Sequence, residues 1–65
     1  MDNTEFVTTV AIKYGELSNY IEWCKSNCND TWSVKIVNEA GYQPGEYMFK
    51  FNNSNDYTTF LVWKS

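Results

Sequence analysis

The sequence predicts a two-layer α+β domain in which one helix packs on an antiparallel four-stranded sheet. Three observations carry that expectation. Residues 5–14, 31–38 and 46–52 alternate in side-chain character with period two, as half-buried strands do. One stretch between them, GELSNYIEWCKSNCND, spaces its apolar residues as a helix does. The chain has 65 residues, which is one domain and no more, and a domain of that size buries only about 60% of its unfolded surface.

Taken in order, EFVTTVAIKY sends Phe6, Thr8, Val10, Ile12 and Tyr14 to one face and Val7, Thr9, Ala11 and Lys13 to the other. Its β-branched residues favour a strand, which Gly15 ends. Leu17, Tyr20, Ile21, Cys24 and Cys28 then recur along one helical stripe. The helix starts between Gly15 and Ser18, with Glu16 and Glu22 toward its positive end, Lys25 in its last turn, and Asn29-Asp30 as its stop. Trp23 lies about 120° from the centre of the stripe at about 100° per residue, so it flanks the core or faces outward. TWSVKIVN returns to alternation, with Trp32, Val34 and Ile36 on one side. EAGYQPGE, with Gly41, Pro44 and Gly45, reads as a hairpin connection. EYMFKFN follows as the second hairpin strand, with Tyr47, Phe49 and Phe51 sharing a face.

The last segment supports two readings. Ser54, Asn55 and Asp56 are cap residues and Tyr57, Phe60 and Leu61 have helical spacing, whereas TTFLVWK has strand propensity. The compromise is a short helical turn near 54–59 and a closing strand near 60–64. The resulting order, β-α-β-β-short turn-β, is an abbreviated ferredoxin-like arrangement, and a right-handed crossover places the first strand beside the last. The expected core comprises Phe6, Val10, Ile12, Leu17, Tyr20, Ile21, Cys24, Cys28, Trp32, Val34, Ile36, Tyr47, Phe49 and Phe51.

Charge narrows the function. Five Lys, no Arg, no His and eight carboxylates leave a net charge of −3. Without Arg there is no planar fork for phosphate, and without His no side chain ordinarily titrates near neutral pH. A mildly acidic chain disfavours nucleic acid and anionic membrane as partners. The N-terminus shows no signal-peptide pattern, and no apolar run approaches the length that spans a bilayer, so the expected location is cytoplasmic. Asn is used eight times against one Gln, and Lys to the exclusion of Arg, a bias that AT-rich coding of a phage, plasmid or bacterium produces.

Each chemical constellation is weak. Cys24 and Cys28 would need two more soft ligands to hold a metal, and helix geometry aims their Cβ vectors poorly for a disulfide, so both are read as buried thiols. Glu16 with Glu22, or Asp56 with Glu46, has no spacing that marks an acid–base pair, and solvated carboxylates are the simpler reading. Tyr47, Phe49 and Phe51 alternate like the stacking rings of RNA-recognition modules, but the glycine and leading basic residue of that signature are missing. No catalytic residue, cofactor or metal is expected. Once the core is filled, Trp23, Tyr42, Tyr57 and Trp63 are left over, and Trp and Tyr are favoured anchors of protein interfaces. Glu16, Glu22 and Asp56 complete the expected protein-binding surface as an acidic rim.

YIEWCKSNC, TWSVKI and the ending FKFNNSNDYTTFLVWKS resemble small accessory proteins of tailed bacteriophages, through Trp23, Cys24, Trp32, Phe49, Phe51, Asp56, Phe60 and Trp63. In that group Ala more often follows the acidic residue, where Tyr57 stands here. The resemblance implies a phage accessory role and transfers no catalytic residue. The expected function is a non-enzymatic phage or mobile-element protein that binds a host or phage protein; whether that binding inhibits the partner is left open. The alternative is a self-associating structural component, a homo-oligomer or virion part.

Overall fold

A computed structural model describes residues 5–65. It contains β1 (Phe6–Ile12), α1 (Leu17–Asn27), β2 (Trp32–Asn38), β3 (Gly45–Phe51) and α2 (Ser54–Lys64). The α+β class is as expected, but the sheet has three strands rather than four, in the order β1-β3-β2, with both pairings antiparallel. β1 and β2 therefore run parallel to each other with β3 inserted between them. The expected fourth strand is absent because residues 54–64 form one continuous helix, so β1 lies beside β3 and not beside a closing strand.

Register explains why the aromatic strand became the centre. Phe51 faces Phe6 on one side and Trp32 on the other; Phe49 faces Thr8 and Val34; Tyr47 faces Val10 and Ile36. Both helices cover this face, and Ile12, Cys24, Phe49, Phe51 and Phe60 are the large side chains fully removed from water. Among the described residues no helix covers the other face, with Val7, Thr9, Lys35 and Lys50. Ile36, expected in the core, is 52% exposed, since it lies near the outer end of edge strand β2.

The connections follow local chemistry. β1 stops at Ile12, and a turn closes with the Glu16 N–H donating to the Lys13 carbonyl at 3.0 Å. Gly15 takes φ +87° there, a left-handed conformation that only glycine adopts without strain. Gly45 opens β3 for a different reason: an added Cβ would stand 2.5 Å from both the Ala40 nitrogen and the Asn38 carbonyl oxygen. The chain crosses itself there, beside the register shift between Ile36 and Asn38.

α2 replaces the expected strand through its capping and its buried face. The Asn53 side chain accepts from the N–H groups of Asn55 (2.8 Å) and Asp56 (3.2 Å), capping the helix. Asp56 and Phe60, four residues apart, are its buried positions. Period two would have turned Phe60 and Val62 to a common face; in the helix Phe60 is fully buried while Val62 is 69% exposed. The β-propensity of TTFLVWK yields to packing, as strand preferences commonly do.

Candidate protein-binding surface

The two indoles expected as separate anchors meet. Trp23 on α1 and Trp63 on α2 stack with centroids 5.0 Å apart and planes inclined by 18°. Tyr20, one turn before Trp23, meets the Trp63 ring edge-on at 5.1 Å and 79°. Beneath them Phe60 lies 5.8 Å from Trp23 and 6.0 Å from Trp63. Phe60 is wholly buried and Trp63 is 39% exposed, so the stack rises from the core to the surface at the junction of the helices. Aromatic pairs in such geometries contribute about 0.5–1.5 kcal/mol beyond the area they bury. The same pairing restricts the Trp63 ring while leaving it partly exposed.

The other expected residues do not join this cluster. Tyr57 is half-buried, 5.6 Å from Phe6 and 6.2 Å from Phe51, on the β1 side of the domain. Tyr42 stands fully exposed in the β2–β3 connection. It lines a hollow of about 310 Å³ together with Gly41 and Tyr14, and Tyr14 is also largely exposed. Sequence alternation had assigned Tyr14 to a strand face, but the turn at Gly15 begins before it; the neighbouring glycine was the available signal. Tyr42 also borders a cleft of about 440 Å³ lined by Asn38, Glu39, Gln43, Pro44 and Glu46, in which Asn38 Nδ2 donates to Glu46 Oε1 at 2.8 Å.

The acidic rim requires one correction. Glu16 and Glu22 are exposed: Glu16 precedes α1 without a side-chain capping bond, and Glu22 sits mid-helix, 3.9 Å from Lys25. Glu16, the N-cap residue, stands at the positive end of the α1 dipole as expected, whereas Glu22 lies beyond the first turn and does not complement it. Asp56 is only 3% exposed and cannot serve as rim. Its Oδ2 accepts from the backbone N–H of Asn29 (2.9 Å) and of Asp30 (3.1 Å), and its Oδ1 from Asn29 Nδ2 (3.3 Å). It lies in the first turn of α2, where the helix dipole favours a negative charge, and it fastens the α1–β2 connection to that helix. No sequence spacing marks this link, since its partners are 26 and 27 residues away.

The cysteines are free thiols, Cys24 buried and Cys28 half-buried. Burial, reinforced by Cys28 and Asp56, pushes the Cys24 thiol up to about 12. Cys28 is also raised, mainly by burial and then by the Asp56 charge. Both thiols are neutral at physiological pH. Among the described residues no group of three or more His, Cys, Asp or Glu side chains is placed to hold a metal ion. None of the helices there is long and apolar enough to cross a membrane.

Fold and surface together define a class: a small two-layer α+β domain that presents a supported aromatic stack. No family model, curated protein or solved structure matches the chain.

Proposed function

We propose that this chain is a non-enzymatic protein-binding module of the phage or mobile-element accessory type, which docks on a host or phage protein and blocks its surface. The observation that carries the reading is the Trp23–Trp63 stack, with Trp63 39% exposed above a buried Phe60. Trp and Tyr dominate interface energetics because they bury large area at small entropic cost, and a ring already held by its neighbours loses little further freedom on binding. The exposed Glu16 and Glu22, on a chain of net charge −3, favour a partner with a basic patch. The phage character rests on the resemblance of the helix and C-terminal segments, and the absence of His and Arg supports binding over catalysis.

Trp63→Ala tests it. The side chain is partly exposed, so the variant should retain its far-UV circular dichroism. It should also lose at least about 2 kcal/mol of partner affinity, the scale of an interface hot spot. The measurement is affinity capture from host lysate with wild type and variant in parallel, followed by titration of the protein retained by wild type alone. Equal capture by a folded Trp63→Ala chain removes the stack from the interface.

A further inference from the structure

We infer that the free edge of β1 pairs with β1 of a second copy, antiparallel about a two-fold axis at Thr9, to give a continuous six-stranded sheet. The inference is independent of the aromatic stack. The three-stranded order leaves two edges, and they differ. β2 carries Lys35 and a register shift between Ile36 and Asn38. Charge and irregularity are the devices that discourage pairing at an edge. β1, FVTTVAI, has seven residues, no charge, no proline and an unbroken register along β3. Every second residue of such a strand directs its N–H and C=O away from β3. Among the described residues no strand or backbone hydrogen bond takes up that outer row.

The occupant follows from the strand's own pattern. Residues directly opposite in an antiparallel pair share a face, so an allowed register must match like parity. Centring on Thr9 is the register that pairs all seven residues: Phe6 with Ile12 of the second copy, Val7 with Ala11, Thr8 with Val10, and Thr9 with itself. Apolar residues meet apolar residues or threonine, and no two charges oppose. The axis stands perpendicular to the sheet, so the helical layers of both copies lie on one side and the core continues across the join. At that border Phe6 and Thr8 of β1 and Tyr57 and Leu61 of α2 are half-buried, leaving apolar area for the second copy to cover. α2 packs over both β3 and β1.

The test is sedimentation equilibrium of the full chain with Thr9→Lys, Thr9→Glu and Trp63→Ala. Thr9 is exposed on the open face, so each variant at that position should fold as wild type does, which circular dichroism checks. Wild type should approach twice 7.6 kDa with rising concentration. Thr9→Lys and Thr9→Glu, each opposing its own charge across the axis, should weaken the dimer about tenfold or more. An equimolar mixture of the two should restore it, and Trp63→Ala should dimerise as wild type does. Amides of β1 that exchange faster on dilution of wild type would place the contact on that strand without any substitution. A wild-type chain that stays at 7.6 kDa to millimolar concentration overturns the inference. So do Thr9→Lys and Thr9→Glu chains that each remain dimeric, or a mixture that fails to recover the dimer.

Discussion

Asp56 shows how far a residue's role can depart from its residue type. A carboxylate in a short acidic chain suggests solvent, yet this one is buried and satisfied by two backbone N–H groups and an amide. Hydrogen bonds to a charged group contribute about 1.5–3 kcal/mol each, and the two N–H groups would recover part of that from water at their exposed loop. Asp56→Ala should therefore lower stability by about 2–3 kcal/mol in urea denaturation, whereas a variant at the exposed Glu22 should change it by less than about 0.5 kcal/mol. Cys24 supplies a second expectation at this scale. Its thiol is held near 12 when folded against 9.0 for the free group, so above pH 9 the unfolded chain releases a proton that the folded chain retains. Stability from this group is complete below pH 9 and falls as pH rises from 9 toward 12. Denaturation midpoints across that window should decline, and Cys24→Ala, less stable at neutral pH, should decline less steeply.

At the scale of elements, α2 is where expectation and structure part. Phe60, Leu61, Val62 and Trp63 are consecutive apolar residues, a run that periodicity cannot divide between helix and strand. The sequence offers Ser54, Asn55 and Asp56 as caps, whereas the cap is Asn53, just before them, with Asp56 in the first turn; the spacing of Tyr57, Phe60 and Leu61 favours a helix. The deciding contact was not visible in the sequence: Phe60 packs at 4.8 Å from Phe49 and 5.1 Å from Phe51, both on the central strand. A strand at the same place would have met only a sheet edge. Phe60→Ala should cost about 3–5 kcal/mol. The whole domain is worth roughly 3–10 kcal/mol at its length, so thermal melts of that variant should show a largely unfolded chain at room temperature or a greatly lowered midpoint. β1, α1, β2 and β3 were legible because each has an unambiguous period and a glycine or polar stop. Their limits moved by only a few residues, with Tyr14 released into the turn at Gly15.

For the whole molecule, the sequence by itself determined the α+β class, one core built on the aromatic strand Tyr47–Phe51, and a supply of rings larger than that core holds. These follow from side-chain period and composition, which are local properties. The tertiary structure decided three things that no local pattern encodes: three strands with β3 in the middle, the burial of Asp56, and the union of Trp23 with Trp63 across two helices. Each depends on contacts between residues more than twenty positions apart, where chain connectivity and the space beneath the helices choose among segments whose local preferences are equal.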